Sequence, residues 1–195
     1  MSAERQRRLI LHMSVSLDGF VTGADGKLDW LAPEDAVDHG DQRHRLNLEM
    51  LSQLDVILLG RVAYEEMGPA WASSDSPMAQ LMNAIPKIVF SESLTELDWN
   101  NARLNELAVG GEIEQLKREP GRDIVAFGGG HFAHSLIRER LVDEYRLTVH
   151  PVALGAGISL MHGLPEPQRF KLVSSTAYTD GCVMQVLRPD GGEPR

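Results

Sequence analysis

Residues 58–68, LLGRVAYEEMG, put Gly60 and Arg61 where an apolar run gives way to a helical pattern. Free N–H groups at a helix start, the positive end of its dipole and a guanidinium beside them suit a pyrophosphate. An ordinary strand-to-helix turn with a surface arginine fits the same residues. A second such place is DIVAFGGGHFAHSL, residues 123–136, where Gly128, Gly129 and Gly130 separate an apolar run from a helical pattern. Glycine costs backbone entropy there and lets a ligand approach bare backbone. Taken alone, a tight turn accounts for these glycines more readily than a phosphate does. The run misses the G-x-G-x-x-G fingerprint because position 133 is alanine, so a standard Rossmann site is not supported. In VFSES, residues 89–93, Ser91 could donate to a phosphate and Glu92 would repel one; by itself this segment reads as a solvated loop.

A long loop precedes these places: SLDGFVTGADGKLDWLAPED, residues 16–35. Loops of that length in compact domains are often functional lids. Asp35 follows Trp30 and Pro33, and an aromatic neighbour would desolvate the carboxylate, raise its pKa and make it a proton donor near neutral pH. On spacing alone, Asp35 and Glu34 serve as caps of the helix that follows. His131 and His134 lie three apart with no third ligand in view, so no metal site is expected. His39 and His44 read as solvated. No Ser-His-Asp order or G-x-S-x-G elbow supports a hydrolase.

The elements that must hold these residues alternate. Strands are expected at 8–16, 55–60, 87–91, 123–128 and 145–152. Helices are expected between them: 41–53, with Leu46, Met50, Leu51 and Leu54 on one side; 76–85, opened by Ser76-Pro77 and burying Met78, Leu81, Met82 and Ile85; a short one in GGEIEQLKREPG; and 131–140. That alternation implies an α/β fold whose mainly parallel sheet carries helices on both faces. RFKLVSSTAY and CVMQVLR, joined by Thr179-Asp180-Gly181, add an antiparallel hairpin at the C-terminal end. One domain over 1–188 is expected, followed by a flexible tail at 189–195.

Composition narrows the partners. The 195 residues are 43% hydrophobic and 24% charged, as in an ordinary globular protein. A net charge of -9, with no long basic run outside ERQRR at 4–8, argues against nucleic acid. The single cysteine, Cys182, excludes an internal disulfide and suits a reducing cytosol. RQRRLILHMSV is broken by His12 and Ser14 and lacks a small-x-small cleavage site, and no stretch approaches the roughly 20 apolar residues of a membrane span. The expectation is a cytoplasmic protein with no membrane partner.

In order and content, MSVSLDGFVTG, DWL, DVILLGRVAYEEM, KIVFSESL with WNN, IVAFGGGHF and LVDEYRLTVHPVALGAGISLM resemble the dihydrofolate reductase-like superfamily. The closer likeness is to the C-terminal reductase domain of the riboflavin biosynthesis protein RibD, over residues 9 to 187. The resemblance implies a three-layer α/β/α fold and an NADPH-dependent oxidoreductase, commonly a homodimer. By position it places Gly60 and Arg61 at the cofactor's phosphates, Val62 among the cofactor-binding residues, and Ser91 near the adenosine ribose and its 2′-phosphate. It places Gly128, Gly129, Gly130, His131 and Phe132 around the pyrophosphate and nicotinamide side. WLAPED is similar to a Trp-x-x-Pro-x-Asp segment, which implies Trp30 and Asp35 as substrate-pocket residues, Asp35 as the catalytic carboxylate and Thr148 as its support.

Three positions depart from the pattern. Ala63 stands where a threonine would donate to the phosphates. Glu92 stands where relatives carry a basic or hydroxyl residue, which leaves NADH open beside NADPH. Phe20 stands where riboflavin reductases show a basic residue. The expected activity is therefore hydride transfer from a nicotinamide to a C=N or C=O carbon of a small, pterin- or pyrimidine-like substrate. The riboflavin-pathway 5-amino-6-(5-phosphoribosylamino)uracil reductase and a non-catalytic NADPH-binding sensor are the alternatives.

Overall fold

A computed structural model describes residues 6–31 and 42–191. Its centre is an eight-stranded sheet. The strands are β1 (Leu9–Ser16), β3 (Leu54–Gly60), β4 (Lys87–Phe90), β5 (Ala102–Leu104), β6 (Asp123–Phe127), β7 (Glu144–His150), β9 (Phe170–Ala177) and β10 (Val183–Pro189), in the order β5-β4-β3-β6-β1-β7-β10-β9. Neighbours from β5 to β7 are parallel, and β10 runs antiparallel to both β7 and β9. Two short strands, β2 (Phe20–Thr22) and β8 (Ile158–Ser159), form a separate ribbon. The fold is α/β, with a mixed, mainly parallel sheet and an antiparallel C-terminal pair.

The central strands are apolar on both faces because helices cover both. Leu9, Leu11, Met13, Leu58, Ile124 and Ala126 pack under α4 (Val109–Arg118) and α5 (Gly130–Arg138), against Ile113, Leu116 and Leu136. Ile10, Ile57, Leu59, Val89 and Val125 face the other layer. That layer holds α1 (Gln42–Ser52), α2 (Arg61–Ala72) and α3 (Pro77–Ala84), through Met50, Leu51, Tyr64, Met78 and Met82. Among the described residues, no helix is long and apolar enough to cross a membrane.

Local chemistry sets the boundaries. The Ser76 hydroxyl accepts from Ala79 N–H at 3.2 Å and caps α3, with Pro77 at its first position. The hairpin closes through Gly181, whose φ of 85° and N–H bond to the Tyr178 carbonyl make the turn. The strand expected to reach 128 ends at Phe127, since Gly128 turns to φ 54°. The one expected to reach 152 ends at His150, because Pro151 has no N–H for the ladder. Pairing continues into the expected tail: Pro189 lies in β10 and Asp190 N–H donates to the Arg169 carbonyl at 2.8 Å. One helix stripe is corrected. Leu46 is 39% exposed and Leu54 begins β3, so α1 packs through Met50 and Leu51, with Leu48 partly buried beside them. Its earlier residues Arg43, His44 and Asn47 front a cavity instead.

Candidate functional site

Strands β1, β3, β4, β6 and β7 open at their carboxyl ends onto one cavity of about 1290 Å³. Ligands of open α/β sheets bind at such strand ends. The volume exceeds the roughly 300–1,000 Å³ of a site for one drug-sized molecule.

One end of the cavity is built from backbone. Helices α2, α4 and α5 begin there, at Gly60, Ala108 and Gly129, and none of the three has a side-chain cap. Their first N–H groups have no acceptor inside the helix, and all three positive dipole ends border the cavity. In contrast, α3 is capped by Ser76, which lies outside the cavity lining. Gly128 and Gly129 have φ of 54° and 75°, a backbone that side chains rarely adopt. This turn is what lets bare amides face the cavity. Gly60 and Gly130 answer to packing: a Cβ on Gly60 would lie 2.7 Å from Phe132 Cβ, and one on Gly130 would lie 2.6 Å from Ile158 Cγ2.

The remaining residues expected on the cofactor side also border this cavity. Arg61 is ion-paired with Glu65 at 2.6 Å, and Val62 is exposed beside it. Ser91 Oγ accepts from Ser93 and Leu94 N–H at 3.2 and 3.0 Å, which shapes the loop after β4. Phe132 is buried and stacks on Phe90 at 4.8 Å, so it forms wall and core together. His131 is exposed at the start of α5, while the His134 ring bonds the Ser159 carbonyl at 2.7 Å.

Two sequence motifs meet above that end. Asp18 of SLDG accepts the Ser16 hydroxyl at 2.6 Å and the N–H groups of Leu154 and Gly155 at 3.1 and 2.8 Å. The Ser16 bond, then the Gly155 bond, hold its carboxyl down at about 2. Gly157, at φ 142°, would put a Cβ 1.9 Å from the Thr22 carbonyl oxygen. The β2–β8 ribbon is thereby tied to the PVALGAG segment, with Ile158 seated on Gly130.

The other end is built from side chains of β1, β7 and α1, with Met184 of β10 behind them. Thr148 is buried and borders the cavity, with its hydroxyl 3.9 Å from Met184 Sδ. Trp30 meets His150 edge-on at 5.3 Å, and Leu28 and Leu31 beside it line the cavity. Asp35, Glu34, Pro33 and His39 lie outside the described residues. His44, read from sequence as solvated, is half-buried on the cavity wall, because α1 turns this face inward.

Sequence reasoning missed a polar network at this end. His150 Nε2 lies 3.1 Å from Ser14 Oγ, and Nδ1 lies 3.3 Å from Cys182 Sγ. Arg43 reaches the same sulfur at 3.8 Å and pairs with Asp180 at 2.9 Å. Burial, then Asp180, push the Cys182 thiol up to about 11, so it keeps its proton at neutral pH. Burial, then Arg43, lower the His150 pKa. A neutral imidazole that accepts the thiol proton at Nδ1 must carry its own proton on Nε2 and donate it to Ser14. The Ser14 hydroxyl is then left to donate into the cavity it lines. Next to it, burial holds His12 at about 4, and its Nδ1 has no hydrogen-bond partner among the described residues. Separations such as 136 positions between Ser14 and His150 left no local signal to find.

Known proteins place this architecture. The chain is 32% identical to the protein YyaP of Bacillus subtilis (strain 168), over 96% of its own length and 97% of that protein's. Its fold is similar to that of a putative riboflavin biosynthesis protein from Shewanella sp. PV-4, with TM-score 0.72 and 23% identity, covering 94% of this chain and 99% of that one. It is also similar to dihydrofolate reductase from Enterococcus faecalis, solved with NADP(H) and RAB-propyl, with TM-score 0.61 and 16% identity over 95% and 98% of the two chains. At these identities the two structures speak to the fold. Residues 7–184 match the family model described as the RibD C-terminal domain. With that span and the YyaP likeness, the chain belongs to the RibD C-terminal domain family.

Proposed function

We propose that this chain is a reductase that takes a reduced nicotinamide dinucleotide, NADPH or NADH, and passes hydride to a C=N or C=O carbon of a small, pterin- or pyrimidine-like substrate. The observation that carries this reading is the convergence of three uncapped helix starts and the Gly128-Gly129 turn on one cavity. Such a cradle fits a diphosphate: its donors are backbone amides, and a Cβ at 128 or 129 would strain the turn that presents them. The cavity is also large enough to seat a second, smaller molecule beside a dinucleotide.

When bound, the dinucleotide supplies the hydride; the chain supplies position, exclusion of water and a proton. Arg61 and the amides at 128–130 hold the phosphates. Val21, Leu28 and Leu31 close the far side with apolar surface. Ser14, backed by His150, donates a hydrogen bond to the heteroatom of the bond being reduced, and Thr148 lines the same wall. Asp35 supplies or relays the proton that completes the reduction. Oxidation of NADPH is to be followed with dihydropterins and with 5-amino-6-(5-phosphoribosylamino)uracil, in the wild type and in Asp35→Asn. Loss of roughly 100-fold or more in rate is expected for Asp35→Asn, and an unchanged rate removes Asp35 from the mechanism.

A further inference from the structure

The strand order sets the order of groups along the cavity. Gly60 ends β3 and Gly128 follows β6, which are neighbours at its centre. Ser14, Thr148 and His150 belong to β1 and β7 on one side. On the other side lie the chain after β4, with Ser91, Glu92 and Ser93, and Asn105 after β5. A dinucleotide with its diphosphate at the centre and its reactive ring beside Ser14 must lay its adenosine over the ends of β4 and β5.

That outer wall carries a carboxylate and, among the described residues that border the cavity after β4 and β5, no lysine or arginine. Glu92 is exposed on it and enters no hydrogen bond or ion pair among the described residues. The arginines that border the cavity are Arg43 and Arg61. Arg43 is held by Asp180 at the opposite end, and Arg61, in an exposed pair with Glu65, follows β3 at the centre, where it is assigned to the diphosphate. Glu66 borders the cavity as well. Asn105 is committed to its own loop: its amide donates to the Leu107 carbonyl at 2.9 Å, and its oxygen accepts from Ser91 N–H at 3.4 Å. A ribose with a free 2′-hydroxyl gains an acceptor here, because acidic side chains accept from ribose hydroxyls in dinucleotide sites. A 2′-phosphate meets like charge and no arginine fork.

We infer that the dinucleotide this cavity selects is NADH, with Glu92 as the specificity-determining residue that accepts from the adenosine 2′-hydroxyl and repels a 2′-phosphate. The inference deepens the reductase reading and rests on it. The test is to measure dissociation constants of NADH and NADPH for the full chain by calorimetry, without substrate, in the wild type, Glu92→Gln and Glu92→Arg. NADH is expected to bind roughly tenfold or more tighter than NADPH to the wild type. The preference is expected to shrink in Glu92→Gln and to reverse in Glu92→Arg. Because Glu92 is exposed and unpaired, both variants keep the wild-type melting temperature. Equal affinities, tighter NADPH binding, or a preference untouched by Glu92→Arg overturns the inference and leaves the reductase reading in place. Binding of neither dinucleotide overturns both.

Discussion

The two ends of the cavity solve the same problem with different material. The end proposed to take phosphates is made of main chain: glycine turns, helix starts without caps and a ribbon locked over them. The end proposed to take substrate is made of side chains from strands and a helix far apart in sequence, with Ser14, His150, Cys182, Asp180 and Arg43 bonded in series. Backbone amides carry the same partial charge at every pH, so the first end stays fixed in its electrostatics. Imidazoles, a thiol and carboxylates titrate, so the second end can be tuned and disturbed by protonation. Adding atoms should damage the first end most, and changing protonation should damage the second.

The largest expected effect follows from adding one carbon where main chain meets main chain. Gly157→Ala places a Cβ 1.9 Å from the Thr22 carbonyl at φ 142°, so both strain and overlap oppose it. A loss of about 3 kcal/mol is expected in urea denaturation. Loss of less than about 1 kcal/mol would mean that the ribbon yields easily and that this end is less rigid than its geometry implies.

Next comes the pH dependence of the substrate end. His12 is held at about 4 by burial, and His150 is lowered by burial and Arg43. Both are neutral in the fold and take up protons more readily when unfolded, near 6.5. Their contribution is complete above about pH 6.5 and is lost as pH falls toward 4 for His12. Denaturation midpoints should fall across that window. His12→Leu should flatten the fall, and a variant with the wild-type slope would show that His12 does not titrate as described. Asp18 adds a lower window: its contribution is present above about pH 4 and lost toward about 2, as its carboxyl is protonated.

The smallest stability effect belongs to Arg61→Ala. Its pair with Glu65 is exposed, and such pairs contribute about 0–1 kcal/mol. The melting temperature should barely move while affinity for a dinucleotide drops. A stability loss with unchanged affinity would assign Arg61 to the helix rather than to the ligand.

The same difference in material decides what could be read from the sequence. Main-chain devices leave local marks: Gly60-Arg61 at a strand end, three glycines at 128–130 and Asp-Gly in the hairpin are each contiguous, and they lie where expected. The central strands were legible because burial on both faces makes them continuous apolar runs. Strands of three residues or fewer, such as β2 and β8, were not, since each is too short to show a period and they pair with each other across more than 130 positions. The network around His150 left no pattern because its members are joined by parallel and antiparallel pairing, not by spacing. His44 was misread for a related reason: a helix face turned toward a cavity is as polar as one turned toward solvent.

The central claim, that this cavity is a nicotinamide dinucleotide site, is tested most directly by thermal-shift titration of the full chain with NADH and NADPH in parallel. A dinucleotide is expected to raise the melting temperature, by the equivalent of about 2.7 kcal/mol at a hundredfold excess over its dissociation constant. No shift with either dinucleotide, at millimolar concentration, would contradict it.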